Sequence, residues 1–264
     1  MDMGLNNKTA LVTGSTRGIG KAIAIELAKE GVNVLINGRN DEEVERTVNE
    51  IKSAYPSTFP QNATADIANP QQREALFEKY PSVDILVNNM GMYEMMQYED
   101  VDDDIWENYF RTNVLAANGL SKFYLPNMLE NNFGRIIFIA SEEAIMPSGQ
   151  MPQYCMTKTM LLSLAKSLSK LTKGREVTIN TIMPGPTLSE NVYQIIDSMF
   201  PNQGMSFSEK EKAFMTTNLP QSEIQRFNKP MEIGRLTTFV CSPYASAFKG
   251  SPIRMDGGMI PTIF

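Results

Sequence analysis

Short apolar, β-branched runs alternate along the chain with longer stretches in which apolar residues recur every three or four positions. This pattern predicts strands over 9–13, 32–36, 84–87, 135–140, 177–183 and 253–255, with a weaker one over 58–64. Between them it predicts helices over 18–30, 41–54, 71–80, 101–129, 151–172 and 230–242. Alternation of this kind argues for an α/β fold, a Rossmann-like doubly wound parallel sheet with helices on both faces. The runs Ile85-Leu86-Val87 and Ile136-Ile137-Phe138-Ile139 are apolar without interruption, as strands buried on both sides require. The rhythm breaks over 188–228, which is long, mixed and rich in Phe and Met. That stretch reads as a substrate lid inserted into one domain spanning 1–264, since no linker or repeat divides the chain.

The chain has 264 residues, enough for one α/β domain with a large core. It contains no histidine. A Ser-His-Asp triad, a Cys-His pair and a His-ligated zinc are therefore all excluded, and proton transfer near neutrality falls to Tyr, Lys, Asp, Glu or Cys. The two cysteines, Cys155 and Cys241, are far apart in sequence, which fits a reducing compartment. A net charge of −6 disfavours nucleic acid as a partner. With no apolar run near signal-peptide or membrane-span length, the expectation is a cytoplasmic protein with no membrane partner.

The first predicted strand runs into Gly14-Ser15-Thr16-Arg17-Gly18-Ile19-Gly20 and then a helix. Glycines let a turn approach a pyrophosphate closely, and the helix N-terminus offers free N–H groups to it. A strand–glycine turn–helix in this position predicts a dinucleotide site. The second strand ends at Asn37-Gly38-Arg39, where an NAD site usually carries an acid for the ribose 2′-hydroxyl. Neither Asn37 nor Gly38 is acidic, while Arg39 and Arg17 can together neutralise a 2′-phosphate. NADP (NADPH) is therefore favoured over NAD, with Asp41 the nearby residue that argues the other way.

In the helix over 101–129, Trp106, Phe110, Asn113, Ala117, Leu120 and Tyr124 fall on one face, so Asn113 is a polar residue on an apolar stripe. It is either a bridge between helices or part of a site. In the helix over 151–172, Tyr154 and Lys158 stand one turn apart on the core-facing stripe. Lysine is almost never buried unpaired, so Lys158 either reaches solvent or holds its charge beside a phenol and a cofactor. Ser141 follows the strand over 135–140. The Gly14 turn, Asn88-Asn89, Ser141 and Pro184-Gly185 each follow a strand and so meet at one edge of a parallel sheet, where such folds bind ligands.

From Lys8 to Gly258 the chain resembles the short-chain dehydrogenase/reductase family. The resemblance rests on TGSTRGIG, Asp66-Ile67, NNMG at Asn88–Gly91, Asn113, Ser141, Tyr154-x-x-x-Lys158 and Pro184-Gly185. It implies that Asn113, Ser141, Tyr154 and Lys158 are the catalytic set. It also implies that Asp66 and Ile67 contact adenine, that Asn88 ties the cofactor region to the sheet, and that Gly91 lies in that region. Pro184, Gly185, Thr187 and Ser189 would flank the nicotinamide, the last two as candidates to bond its carboxamide. Two departures stand out: Met90 occupies a position usually small, and Thr187 and Ser189 replace the usual pair after Pro-Gly.

With no histidine present, Tyr154 is the natural proton donor to a carbonyl being reduced. Lowering a phenol from a pKa of about 10 to about 7 takes about 4 kcal/mol, which Lys158 and an oxidised nicotinamide are expected to supply. Ser141 would hydrogen-bond the substrate oxygen, and Asn113 would hold a water leading to Lys158. The Met and Phe residues after NNMG and in the lid suggest a small apolar or amphiphilic carbonyl substrate, a ketone or aldehyde. A 3-oxoacyl group on a carrier is one candidate; Lys166, Lys170, Lys173 and Arg175 would receive the carrier or simply complement a helix end. The resemblance further implies a homo-oligomer, a dimer or tetramer. The alternative reading is a catalytically silent NADP-binding regulator or scaffold of the same fold.

Overall fold

In a computed structural model describing residues 2–200 and 204–263, seven strands form one parallel sheet in the order β3-β2-β1-β4-β5-β6-β7. They are β1 (Thr9–Val12), β2 (Asn33–Ile36), β3 (Gln61–Asn62), β4 (Ile85–Asn88), β5 (Gly134–Ile139), β6 (Val177–Pro184) and β7 (Pro252–Met255). Strand order reverses between β1 and β4, so the loops after these two strands diverge and leave a crevice at their carboxyl ends. Met1 and Phe264 of the domain expected over 1–264, and 201–203 of the expected lid, lie outside the described residues.

Alternate strand residues serve two cores. On one face Leu11, Leu35, Leu86, Ile136 and Phe138 pack with Leu76 and Phe77 of α3 (Pro70–Lys79), Leu120 and Tyr124 of α5 (Ala116–Glu130), and Leu161 of α6 (Pro152–Ser169). On the other face Ala10, Val12, Val34, Ile36, Val87 and Ile137 pack with α1 (Gly18–Lys29), α2 (Asp41–Ala54) and α9 (Pro230–Cys241). Helix starts follow local chemistry. Asn40 accepts a hydrogen bond from Glu43 N at 3.0 Å to cap α2, Asn69 caps α3 just before Pro70, and Asp102 caps α4 (Asp103–Phe110).

Three expectations change. The strand expected over 58–64 shrinks to Gln61–Asn62, because Asn33 and Tyr55 hold the preceding backbone in turns. The helix expected over 151–172 ends at Ser169 and continues as a 3-10 turn over Lys170–Thr172. The helix expected over 101–129 is α4 and α5 joined by a π-helical stretch, Arg111–Leu115. A π turn inserts one extra residue and shifts the face by one position. Upstream of it the buried residue is therefore Tyr109, while Phe110, expected on the stripe, is 40% exposed. Downstream, Asn113, Ala117, Leu120 and Tyr124 are buried as expected.

The segment over 188–228 contains α7 (Glu190–Met199) and α8 (Phe207–Asn218). They enclose a small core of Ile196, Met215 and Phe227, with Val192, Phe207 and Phe214 against it. Much of the Phe and Met content of this segment thus packs on itself.

Candidate active site

The crevice, 1140 Å³, is lined by Gly14, Thr16, Arg17, Gly38, Arg39, Asp66 and Gly91, among others. Gly14 and Gly18 have φ of 61° and 55°, the left-handed conformation that favours glycine. A Cβ on Gly18 would project into open space, whereas one on Gly20 would overlap the Gly14 carbonyl. No side chain caps the start of α1 at Arg17, so its first N–H groups are left to an anion. Thr13 and Asn89 hold this turn in place. Thr13 Oγ1 accepts from the backbone of Asn89 and Met90, each at 2.9 Å, and Asn89 Nδ2 donates to the carbonyls of Thr13 and Gly14. These features fit a dinucleotide's phosphates, with Gly14, Thr16, Arg17 and Gly18 around them.

Not every residue of the glycine turn faces the crevice. Ser15 is fully buried, donates to Val12 O at 2.7 Å and accepts from Asn37 N at 3.0 Å, so it ties β1 to β2. Ile19 packs on the core that holds α1.

At the end of β2, Asn37 is buried and turned inward. It accepts from Gly14 N at 3.3 Å and donates to the carbonyls of Ala63 and Ala65 at 2.9 and 3.1 Å. Asp41 is engaged by Asn62 and Thr64, both at 2.9 Å, and these hydrogen bonds hold its carboxyl below the usual carboxylate range. Arg17 and Arg39 are exposed on the crevice wall, and among the described residues neither forms an ion pair. Asp66 lines the crevice with its carboxylate bonded to Ala68 N at 3.0 Å. Ile67 does not line it: its side chain is 1% exposed and lies in the core with Leu11 and Leu35. Asn88 donates to Ser121 at 3.2 Å, joining β4 to α5, and its Oδ1 is buried without a partner.

Past Gly91 the crevice meets the catalytic candidates. A Cβ on Gly91 would stand 3.3 Å from Lys158 Nζ and 3.4 Å from Asn113 Oδ1, so glycine leaves these two groups their room. Lys158 is 4% exposed and donates to Ile139 O at 2.8 Å; burial lowers its pKa to about 8. Its Nζ sits 5.5 Å from the centre of the Tyr154 ring. Tyr154 is partly buried, and Ser141 is near enough to its hydroxyl to act on its pKa. The four candidates Asn113, Ser141, Tyr154 and Lys158 are thus brought together by the π stretch, the end of β5 and one turn of α6.

The electrostatics correct the expectation for the phenol. Burial drives the Tyr154 pKa up, and Glu142, Glu143 and Cys155 add to the rise, with Ser141 opposing. In the chain alone desolvation dominates the phenol; Lys158 gives one of its three N–H donors to Ile139 O and keeps two. Asn113 accepts from Met92 N at 2.9 Å and donates to Met92 O and Thr157 Oγ1 at 3.1 and 3.0 Å. Its amide groups fasten the loop after β4 to α6, as in the bridging reading.

Pro184 and Gly185 lie where β6 ends, and a Cβ on Gly185 would press on the backbone of Asp256. Thr187 Oγ1 donates to Gly185 O at 2.8 Å, and Ser189 caps α7 by accepting from Val192 N at 3.3 Å. Each hydroxyl expected at a carboxamide bonds its own backbone, Thr187 keeping its lone pairs and Ser189 its hydrogen for a further partner. Met90 is partly buried against the core, and Tyr93 is 60% exposed with its ring 6.0 Å from that of Tyr154.

Sequence reasoning placed Asn89 at the ligand edge of the sheet without giving it a role, and did not single out Asn37 and Thr157 as site supports, nor Glu142. That carboxyl is buried and takes a hydrogen bond of 2.6 Å from Ser141. Burial raises its pKa to about 7, against the lowering effect of Ser141. A pair of consecutive glutamates ordinarily reads as solvated surface, and nothing in the pattern marks one of them as inward-facing.

The profile of the short chain dehydrogenase family matches residues 8–200. The chain belongs to this family and is an oxidoreductase. It is 47% identical over 264 residues to YvaG of Bacillus subtilis (strain 168), named an uncharacterized oxidoreductase, with all of both chains covered. It is 30% identical over 260 residues to the D-beta-hydroxybutyrate dehydrogenase of Cupriavidus necator, covering 97% of this chain and 99% of the other. Among solved structures, L-sorbose reductase from Gluconobacter frateurii, complexed with NADPH and L-sorbose, superposes with a TM-score of 0.92. The identity there is 29%, and both chains are covered completely.

Proposed function

We propose that the protein interconverts a carbonyl and an alcohol with NADP(H), Tyr154 moving the proton. The observation that carries this reading is the convergence of Ser141, Tyr154 and a buried Lys158 beside Gly91 of the crevice lining. A binding scaffold has no use for a desolvated amine beside a phenol, which is why the catalytically silent alternative is the weaker one.

The residues divide the work. Gly14, Thr16, Arg17 and Gly18 hold the phosphates, Arg17 and Arg39 the 2′-phosphate, and Asp66 the adenine edge. NADPH supplies the hydride when bound. Tyr154, kept protonated at neutral pH by its burial, donates its proton to the substrate oxygen, and Ser141 hydrogen-bonds the same oxygen as charge develops. Lys158 steadies the phenolate that remains, and Asn113 holds the loop after β4 against α6. Preference for NADP is supported by the inward turn of Asn37 and the engagement of Asp41, which leave Arg17 and Arg39 as the charges facing a 2′ substituent. The similarity to an NADPH-complexed L-sorbose reductase points the same way.

The substrate is a small apolar or amphiphilic ketone or aldehyde. A 3-oxoacyl carrier substrate is the less favoured form of this reading. The protein works in the cytoplasm as a homo-oligomer, with exposed Phe110 and Leu115 near α5 and Met156 and Met160 on α6 as the apolar positions available for pairing; sedimentation velocity checks the assembly. The test of function is a panel of ketones and aldehydes followed by NADPH oxidation. Turnover of at least one class is the expected result. Tight NADPH binding with no turnover across the panel contradicts it and leaves the silent-regulator reading.

A further inference from the structure

Glu142 lies outside the four residues that the resemblance nominates, yet it touches one of them. Ser141 Oγ has one hydrogen to donate and two lone pairs to offer. Among the described residues it has two hydrogen-bond partners, Glu143 N, which donates to it at 3.3 Å, and Glu142 Oε2, which accepts from it at 2.6 Å; the Tyr154 hydroxyl is near enough for Ser141 to lower its pKa. The backbone N–H can only donate, so one lone pair is taken whatever the pH. The rest of the arrangement depends on which oxygen of the Ser141–Glu142 pair holds a proton.

With Glu142 ionised, its oxygen can only accept, so Ser141 spends its hydrogen there. The serine then has nothing to donate to a substrate oxygen, and its remaining lone pair draws the hydrogen of Tyr154. With Glu142 protonated, the carboxyl donates to Ser141 Oγ. The serine hydrogen is then released toward the substrate, and so is that of Tyr154, whose acceptor on Ser141 is now occupied. Two donors converge on the carbonyl oxygen in the second arrangement and compete for internal acceptors in the first.

We propose that Glu142 is a positioning residue whose proton decides whether Ser141 and Tyr154 are free to donate to the substrate oxygen. This rests on the proposed carbonyl reduction and extends it. No charge in the described surroundings turns Glu142 into a plain structural anion. Its neighbours are Glu143, Asp256 after β7, and Tyr154 and Cys155 of α6. The Glu143 carboxylate is turned to Ser148 N at 2.6 Å and Cys155 Sγ at 3.0 Å, and Asp256 is paired with Arg254 at 3.1 Å. Each acid near Glu142 thus has its own partner, while Glu142 has Ser141. Burial, with the repulsion of Glu143 and Asp256, brings its titration to about 7, inside the range where an enzyme works.

The experiment compares pH profiles of kcat/KM for ketone reduction in the parent chain and in Glu142→Gln. In the parent, activity falls as pH rises through about 7 and then about 8, giving about a twentyfold ratio between pH 6 and pH 8, about tenfold of it from Glu142 and about twofold from Lys158. The side-chain amide introduced by Glu142→Gln donates to Ser141 at every pH, so this ratio drops to about twofold, the limb near 8 from Lys158. An unchanged limb near 7 in the variant overturns the proposal. A second readout needs no turnover: ¹³C NMR of protein labelled at the glutamate carboxyl carbons. One resonance titrating near 7, absent in Glu142→Gln and shifted in Ser141→Ala, is expected. Titration of Glu142 in the ordinary carboxylate range overturns the proposal even if no ketone is reduced, whereas absent turnover with the NMR result intact strikes only the functional reading.

Discussion

The two ends of the crevice are built on opposite principles. At the β2 end the charges, Arg17 and Arg39, are exposed and unpaired among the described residues, and their supports are backbone turns and a buried asparagine. At the β5 end Glu142 and Lys158 are withdrawn from water and tied to neighbours by short hydrogen bonds, with the partly buried Tyr154 beside them. The exposed arginines present guanidinium donors on the crevice wall. Burial moves the pKa of each group at the other end by disfavouring its charged form: up for Glu142 and Tyr154, down for Lys158. In the proposed function one end recognises the cofactor and the other exchanges protons.

Substitutions at the two ends should therefore fail differently. The largest effect is expected for Tyr154→Phe, a loss in kcat of about 10³-fold with NADPH affinity unchanged in fluorescence titration. A matching loss of affinity would move the phenol's role to the recognition end. Next comes Lys158→Met, with kcat at pH 7 down about 10²-fold and stability raised. The sign of the stability change follows from linkage. The folded pKa of Lys158, about 8, lies below the unfolded value of 10.5, so the unfolded chain binds the proton more tightly and stability increases as pH rises from 8 to 10.5. Chemical denaturation across that range should find the increase in the parent and lose it in the variant.

Smaller effects are expected at the recognition end. Arg39→Ala should raise the KM for NADPH about tenfold, the worth of one charge-assisted hydrogen bond, and leave that for NADH nearly alone. Equal changes for both cofactors would remove Arg39 from the 2′-phosphate. Smallest is Ser189→Ala, which removes the cap of α7 and should cost about 1 kcal/mol, read as faster hydrogen exchange in α7. A rise in the KM for NADPH instead would return Ser189 to the carboxamide role.

The contrast between the ends also explains what the sequence made legible. Period-two and uninterrupted apolar runs mark the strands, because a parallel sheet covered on both faces admits little else. Glycines with forced φ mark the turn. Exposed arginines mark the recognition end, because an exposed charge acts from wherever the backbone puts it. The reaction end was legible only as residue types in order. The π stretch at Arg111–Leu115 leaves no periodic signature, and it moved the apolar stripe from Phe110 to Tyr109. Hydroxyls of Ser15, Thr187 and Ser189 satisfy nearby backbone before any ligand, a choice fixed by local geometry. Glu142 is inward and Glu143 engages the loop at Ser148, a difference that two adjacent identical residues cannot encode by composition.

The account stands or falls on what the crevice consumes. With a ketone substrate and the unaltered chain, NADPH oxidised should equal alcohol formed, one for one, with kcat/KM for NADPH at least about tenfold above that for NADH. Equal use of the two cofactors, or NADPH lost with no alcohol appearing, would contradict it.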